Sequence, residues 1–232
     1  MNEQKNPLVG LYPFLHEQKI NPQQHQAELL ESVKQKAAHS IQTKQTFFAE
    51  QSEQLVAAAQ TLATCYKRGG KLLSMGNGGS SCDASHVAVE FQHPVTAGRP
   101  SLPAINLTTD VAFISALAND VGVESIFARQ IEAQATSGDV LIGFSTSGNS
   151  HNLIAGFRKA RQMGVHSIGF AGGNGGQMLS EKMLDHCLVV NTDSIHRVQE
   201  VHVACYHILW DLTHTLLADN RGKLSQNMES EK

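Results

Sequence analysis

The chain has 232 residues, a formal net charge of −3 and 41% hydrophobic residues. That apolar content is enough for one large α/β domain, and it excludes wholesale disorder. The slightly negative charge offers no basic field for a nucleic-acid backbone or an anionic membrane surface, so neither is an expected partner.

The N-terminal two dozen residues are irregular and include Pro7, Pro13 and Pro22. They have neither the continuous apolar core nor the small-residue cleavage site of a signal peptide. No apolar run in the sequence reaches the roughly 18 to 20 residues needed to span a bilayer. The four cysteines are widely spaced and form no CxxC pair, which indicates reduced thiols. These features predict a cytoplasmic location.

Two helices are predicted after this segment. Apolar residues at helical spacing continue to Ala49 and predict a long amphipathic helix. A second helix is predicted from about Ser52 to Arg68, with Gly69 and Gly70 as its stop signal.

From Gly70 onward, short apolar runs alternate with helical patterns. The runs predict five strands, at Lys71–Met75, Ala104–Leu107, Val140–Phe144, Ser167–Phe170 and Cys187–Val190. Helices are predicted near 81–92, 110–121, 125–136, 150–163 and 195–218. This alternation is typical of a parallel sheet covered by helices on both faces, and it predicts one doubly wound α/β domain.

The domain organisation follows from these patterns. Residues 1–25 are predicted as an N-terminal extension, and 26–218 as the α/β domain with its N-terminal helices. The polar stretch 219–232 is predicted as a C-terminal tail.

Two loops rich in glycine and serine follow the first and third predicted strands. Gly76–Ser81 reads GNGGSS, Ser145–Ser150 reads STSGNS, and each loop opens a helix. Glycines let backbone N–H groups approach an anion, hydroxyls add neutral donors, and a helix N-terminus adds a favourable dipole. A single such loop is more often an ordinary turn with a serine cap. Two of them at the carboxyl ends of one sheet favour a phosphorylated ligand.

Two common nucleotide-binding motifs are excluded. The third glycine of the dinucleotide fingerprint is replaced by Ser81, and no Walker A sequence occurs. The glycine run Ala171–Gly176 is interpreted as a flexible turn without chemistry.

Candidate metal-ligating and acid–base side chains lie on two predicted helices. His86 and Glu90 are four residues apart, so they share one helix face and can reach one ion or substrate. Such a pair is often merely solvated, but the apolar neighbours here indicate a largely buried helix, and a buried carboxylate needs a partner. On the last helix, Gln199 and His207 are separated by roughly 12 Å of axial rise, with His202 between them. The sequence leaves open which of these histidines faces a site.

In their order and spacing, from about residue 26 to 218, these residues resemble the bacterial phosphoheptose isomerases. That family belongs to the sugar-isomerase (SIS) superfamily. The resemblance is carried by the following motifs and residues: GNGGSS, STSGNS, Asn119-Asp120, His86, Glu90, Gln199 and His207. The STSGNS loop marks the superfamily, whereas its combination with the four metal-type residues is more specific.

The resemblance implies a three-layer α/β/α sandwich of the SIS, flavodoxin-like type, with a five-stranded parallel sheet. It implies a homotetramer whose sites lie near subunit interfaces. The implied reaction is an aldose–ketose isomerisation of sedoheptulose 7-phosphate to D-glycero-D-manno-heptose 7-phosphate. That product serves the heptose of lipopolysaccharide or other surface glycans.

The resemblance also assigns the site residues. One Zn²⁺ per subunit is expected on His86, Glu90, Gln199 and His207, with Glu90 and His207 as the catalytic pair. Substrate contacts are expected from Asn77, Gly78, Gly79, Ser80, Glu90, Asn119, Asp120, Ser145, Thr146, Ser147, Ser150 and Gln199. Because ligation lowers the basicity of a carboxylate, the two roles of Glu90 as base and as ligand compete, and the sequence does not choose between them.

Two departures from the family pattern keep alternatives open. Phe91–Val95 stands where the family has a Gly-Arg-aromatic segment, and His196 replaces an acidic residue. Both changes fall near the expected sugar end of the site, so one alternative is an isomerase of another sugar phosphate. The other is a non-catalytic SIS adaptor that binds the bacterial replication initiator. The presence of all four metal-type residues weighs against the adaptor.

Overall fold

The computed structural model describes the backbone of residues 22–229 and side chains as far as Ala218. Most of the predicted extension 1–25 lies outside the described residues. The chain separates into two compact units, Met1–Ile41 and Gln42–Lys232, and each is described by itself. In the described part of the chain, no helix combines the length and the apolar character needed to cross a membrane.

Helix α1 (Pro22–Lys67) is continuous, so the prediction of two separate N-terminal helices is wrong. The physical reason is that no glycine or proline occurs between Gln23 and Arg68, and nothing in that stretch forces the helix to end. The predicted stop is confirmed: Gly69 has a φ of 78°, a backbone conformation that favours glycine. The amide of Gly70 then donates to the carbonyl of Cys65.

Five parallel strands form one sheet in the order β2–β1–β3–β4–β5, which confirms the predicted architecture. The strands are β1 (Leu72–Gly76), β2 (Ala104–Asn106), β3 (Val140–Ser145), β4 (His166–Gly172) and β5 (His186–Val190). In register, Leu72 pairs with Ala104 on one side and with Val140 on the other. The strand order reverses between β1 and β3, because the chain places β2 on one side of β1 and β3 on the other. In open α/β sheets a crevice forms at the carboxyl ends of two such strands, and ligands bind in it.

The remaining helices are α2 (Gly79–Gln92), α3 (Val111–Asp120), α4 (Ile126–Gln134), α5 (His151–Gln162), α6 (Gly176–Ser180) and α7 (Ile195–Glu229), with a 3₁₀ turn at Val123–Ser125. The short helix α6 was not predicted, because its glycines favour a turn. Helix α7 continues past the predicted helix end at residue 218. The boundary of the tail 219–232 stays a prediction.

Two hydrophobic clusters cover the two faces of the sheet. In one, residues of α1, α2 and α7 such as Leu62, Phe91 and Tyr206 pack on Phe144 of β3. In the other, residues of α4 and α5, with Phe157 among them, pack on β1 and β3. Full burial of a large apolar side chain contributes about 1.5–3 kcal/mol. The layers therefore form an α/β/α sandwich that holds the carboxyl ends of β1 and β3 rigidly.

Candidate active site

The loop Gly76–Ser81, called here the first anion loop for its predicted role, connects β1 to α2 over a very short distance. A Cβ atom on Gly76 would lie 2.2 Å from the carbonyl oxygen of Ser80, so glycine is required for α2 to begin this close to the strand. Gly78 has a φ of 54°, which again favours glycine. Ser80 is buried in the first turn of α2. The sequence therefore places backbone N–H groups and a hydroxyl at the end of β1.

The second anion loop, Ser145–Ser150, is closed by its own hydroxyls. The Oγ atoms of Ser145 and Ser150 lie 2.9 Å apart. Ser150 is the N-cap residue of α5, yet its hydroxyl makes no capping hydrogen bond to the helix. Ser147 Oγ accepts a hydrogen bond from the amide of Asn149 at 3.2 Å. The first N–H groups of α5 are thus left without a side-chain cap from Ser150, as suits a helix end that receives an anion.

The glycine run at the start of α6 supports this second loop. The amide of Met178 donates to the carbonyl of Gly148, and the amide of Gln177 donates to Oδ1 of Asn149, both at 2.9 Å. A Cβ on Gly148 would lie 2.2 Å from the carbonyl oxygen of Gly175. The stretch interpreted as a flexible turn is therefore a structural support for the loop.

A pair of asparagines joins the two loops. Nδ2 of Asn77 donates to Oδ1 of Asn152 at 2.8 Å, and Nδ2 of Asn152 donates back at 2.9 Å. Both residues line a cavity of about 440 Å³ together with Ser150. The sequence analysis missed Asn152; its position two residues after the STSGNS motif, at the start of a helix, is the signal that could have found it.

The structure brings His86, Glu90 and His207 together. One potential ligand atom from each of them lies within 4.8 Å of the other two. Nε2 of His86 is 3.1 Å from Oε1 of Glu90, and the rings of His86 and His207 have centroids 5.0 Å apart. The Glu90 side chain is 20% exposed and that of His86 42% exposed, so the cluster opens to solvent. The helix-face argument for His86 and Glu90 is confirmed.

Tyr206 lies behind this cluster. Its Oη is 2.7 Å from Nδ1 of His86, and its ring packs edge-on against His207 at a centroid distance of 4.8 Å. Burial, followed by the negative charges of Asp83 and Glu90, raises the pKa of Tyr206, so the phenol stays protonated. The sequence analysis missed this residue, because a tyrosine in an apolar helix looks like ordinary core.

Burial also changes the protonation of the neighbouring groups. It lowers the pKa of His207, the nearby His86 lowers it further, and Glu90 opposes both effects. Burial raises the pKa of Asp83 to about 6, against the opposing influence of His86. The result favours a neutral imidazole at His207, which is the form that binds metal or accepts a proton.

Two other histidines of α7, His202 and His214, are buried in the core. His202 is fully buried, its Nε2 lies 3.4 Å from the carbonyl oxygen of Ala171, and burial lowers its pKa to about 4. His214 is buried between the rings of Phe91 and Trp210. Among these three histidines, His207 is the one that lies in the candidate site with His86 and Glu90.

Gln199 lies against the first anion loop. A Cβ on Gly79 would be 2.4 Å from Nε2 of Gln199, so the glycine leaves room for the amide. The side chain of Asn119 donates to Oδ1 of Asp120 at 2.8 Å, at the exposed end of α3. The assignment of Gln199 as a ligand and of Asn119 and Asp120 as substrate contacts remains a prediction.

The departures from the family pattern have distinct locations. Arg99, the first arginine after Glu90, places its guanidinium 4.3 Å from the ring centre of Trp210 and pairs with Asp211. Nε1 of Trp210 donates to the carbonyl of Glu90 at 2.8 Å. Arg99 thus braces α7 where it contacts the end of α2. His196 is exposed in the first turn of α7.

Comparisons with known proteins show which family the chain belongs to. The SIS domain family matches residues 28–172. A phosphoheptose isomerase from Desulfovibrio desulfuricans is 42% identical over 196 residues, which are 84% of this chain and 92% of that protein. The structure of a phosphoheptose isomerase from Neisseria gonorrhoeae is 36% identical, with a TM-score of 0.75 over 81% of this chain and 99% of the other.

A second solved structure, a phosphoheptose isomerase from Francisella tularensis, is similar to the same extent. It is 33% identical, with a TM-score of 0.77, and the match covers 80% of this chain and 98% of the other. Identity of this level over nearly the whole length of each relative shows common descent, and the chain is a member of the phosphoheptose isomerase family.

Proposed function

We propose that this chain isomerises sedoheptulose 7-phosphate to D-glycero-D-manno-heptose 7-phosphate in the cytoplasm, for the heptose of lipopolysaccharide or other surface glycans. The observation that carries this proposal is the cluster of His86, Glu90 and His207 on α2 and α7, in a domain whose β1 and β3 both end in anion loops. Membership of the isomerase family supports it.

The phosphate is held by the two loops. The hydroxyls of Ser80, Ser145 and Ser150 and the N-terminus of α5 supply neutral donors and a favourable dipole for the dianion. Thr146 and Ser147 belong to the same loop and add donors at its tip. Gly78 and Gly79 let the chain approach the ligand closely, and the sugar chain then extends toward α2 and α7.

Glu90 and His207 carry out the proton transfers. A base removes the proton from C1 of the ketose, an enediol forms, and the same carboxyl group returns a proton to C2, which gives the aldose. His207 takes the proton from the hydroxyl on C1 and delivers one to the oxygen on C2. A free glutamate has a pKa of about 4.3 and is a weak base, so its position close to the substrate must contribute most of its effect.

The donor set fits a zinc ion. Imidazole nitrogen and carboxylate oxygen are zinc ligands with bonds of about 2.0–2.2 Å, which places the ligand atoms of a tetrahedral site roughly 3.3–3.6 Å apart. The three candidate ligand atoms lie within 4.8 Å of one another, so His86, Glu90 and His207 would hold the ion together. Gln199 is the proposed fourth ligand, with one ion per subunit. A bound Zn²⁺ would polarise oxygen atoms of the sugar and order the site.

The proposed assembly is a homotetramer with sites near subunit interfaces. Support comes from the first unit, in which Leu29, Leu30, Val33 and Ile41 are half-exposed or more on α1. Their spacing of three, four and eight residues gathers them along one side of the helix, and such an apolar face is stabilised by burial against another chain. Light scattering coupled to gel filtration measures this assembly directly.

The central test uses the purified protein and sedoheptulose 7-phosphate, with and without added zinc. Glu90→Gln should lower turnover by about 10²–10⁴-fold, as expected for loss of a general base. Glu132→Gln, which changes an exposed glutamate on α4, is the matched control and should retain full activity. Zinc content is measured in parallel, because loss of zinc in Glu90→Gln identifies a ligand, whereas retained zinc without turnover identifies a base.

The negative outcome is also defined. A wild type that binds zinc, forms the tetramer and leaves sedoheptulose 7-phosphate unchanged would contradict the proposed substrate. Other phosphosugars would then be tested as substrates.

A further inference from the structure

Both ring nitrogens of His86 have partners in the structure. Nε2 faces the carboxylate of Glu90 at 3.1 Å, and Nδ1 faces the phenol of Tyr206 at 2.7 Å. Tyr206 is 1% exposed, and its ring also contacts Phe144 of the sheet at a centroid distance of 5.8 Å. The phenol is therefore held in place by the core, and it holds His86 from behind.

The tautomer of His86 depends on these two partners. When Nε2 carries the proton, it donates to Glu90, and Nδ1 accepts from the phenol. When Nε2 offers its lone pair to a metal ion, the proton must sit on Nδ1, which then donates to the phenol oxygen. A tyrosine hydroxyl can both donate and accept, so Tyr206 satisfies His86 in each form. A phenylalanine could do neither.

We propose that Tyr206 is a positioning residue that fixes the ring orientation of His86 and accepts the hydrogen bond from its Nδ1–H when Nε2 binds a metal ion. This inference rests on the proposed metal site. It implies that part of the zinc affinity depends on Tyr206, which would not touch the ion. Outer partners of a metal-bound histidine orient the ring and raise its basicity, and their loss weakens metal binding by about 10–100-fold.

If Tyr206 served only to pack the core, Tyr206→Phe would leave the zinc affinity unchanged. Its ring packs on the rings of Phe144 and His207, and Tyr206→Phe keeps that packing while it removes only the hydroxyl. Tyr66 offers a matched control, because it is also largely buried and its hydroxyl has no hydrogen-bond partner among the described residues. Tyr66→Phe therefore removes a buried phenol oxygen that holds no ligand.

The experiment measures zinc affinity by competition with a chromophoric chelator in wild type, Tyr206→Phe, Tyr66→Phe, His86→Ala and the double variant Tyr206→Phe/His86→Ala. Tyr206→Phe should weaken zinc binding by about 10–100-fold, with wild-type secondary structure and melting behaviour. Tyr66→Phe should bind zinc like the wild type. In the His86→Ala background, Tyr206→Phe should have no further effect, because a positioning residue acts only through the ligand it positions.

A second readout is the visible spectrum of the Co²⁺-substituted protein, which reports ligand geometry. Tyr206→Phe should shift or broaden the Co²⁺ bands, whereas Tyr66→Phe should leave them unchanged. Equal zinc affinity in wild type and Tyr206→Phe would overturn this inference alone. An undiminished effect of Tyr206→Phe in the His86→Ala background would also overturn it, in favour of packing. A wild type that binds no zinc would overturn the metal proposal and this inference together.

Discussion

Asn77 and Asn152 donate a hydrogen bond to each other, at 2.8 and 2.9 Å, and so tie the loop after β1 to the start of α5. Each amide satisfies the other, and the pair fixes the spacing between the two anion loops. The relationship links residues 75 positions apart in the sequence. It joins the two loops of the proposed phosphate site into one unit.

Asn152→Ala should therefore weaken substrate binding more than it weakens the fold. The Asn77 amide loses its partner at an exposed position, where water replaces the hydrogen bond, so stability should fall by only about 1 kcal/mol. The KM for the phosphosugar should rise because the first loop is less well positioned. Steady-state kinetics measure the effect, and Gln162→Ala at the exposed end of α5 serves as the control. An unchanged KM would show that the loops are positioned independently.

Ser150→Ala should separate ligand binding from helix capping. Because the hydroxyl of Ser150 makes no cap hydrogen bond, its loss should remove only the hydrogen bond to Ser145 and lower stability by about 1 kcal/mol. The lost hydrogen bond to a charged phosphate should raise KM by roughly 10–100-fold. Ser115→Ala removes an exposed hydroxyl on α3 and should leave KM unaltered. A large fall in melting temperature for Ser150→Ala would instead indicate a capping role.

Gly79→Ala should lower activity with little change in thermal stability, whereas Gly143→Ala should lower stability. At Gly79 the new Cβ would approach Nε2 of Gln199 to 2.4 Å, and the end of a flexible side chain can move aside. Activity should therefore fall while thermal stability changes little. At Gly143 the Cβ would lie 2.5 Å from the ring of Phe157 in the core, so stability should fall by about 1–3 kcal/mol. Full activity in Gly79→Ala would contradict a role for Gln199.

The surroundings of Asp139, at the amino ends of β1 and β3, predict that folding stability depends on pH. Its buried carboxylate accepts hydrogen bonds from the amide of Lys71 at 2.9 Å, from Lys71 Nζ at 2.7 Å and from the amide of Thr136 at 2.8 Å. Burial acts to raise the pKa of Asp139, but the hydrogen bonds from Lys71 and Thr136 outweigh it and hold the pKa below the ordinary value of 3.8.

Since the folded-state pKa of Asp139 is lowered, its stabilising effect is complete above pH 4 or so and is lost as the pH falls through the folded-state value. Asp139→Asn should cost about 3 kcal/mol at pH 7, because it leaves the Lys71 ammonium without its anion. The difference between wild type and variant should shrink in urea unfolding at pH 3. A difference that is constant from pH 7 to pH 3 would exclude this linkage.

The strands were predictable because they are short, nearly continuous apolar runs, and central ones such as Val140–Ser145 are buried on both faces. Their bounds differ from the predicted ones by one or two residues. The predicted break between two N-terminal helices is wrong, because no glycine or proline interrupts the chain between Gln23 and Arg68. In the structure, Ser52 Oγ donates to the carbonyl of Phe48 and the helix continues.

The candidate site was predictable where one local motif held the information. His86 and Glu90 are one helical turn apart, so their proximity follows from geometry. The partners of Tyr206 and Asn152 lie on other elements, and no periodicity in the sequence indicates which distant side chain each will meet. The residue pattern alone left His202 and His207 open, and only the family resemblance assigned His207. The packing of α7 then shows that His202 is buried.

The separation of 120 residues between His86 and Tyr206 has a consequence for biosynthesis. At a synthesis rate of 5–20 residues per second, α2 is made roughly 6–24 s before the matching turn of α7. A nascent chain that ends before residue 195 already carries all five strands and both anion loops, but only His86 and Glu90 of the cluster. The cluster is thus completed only once α7 has been made, and a chain that ends before α7 keeps both loops without His207, the proposed catalytic histidine.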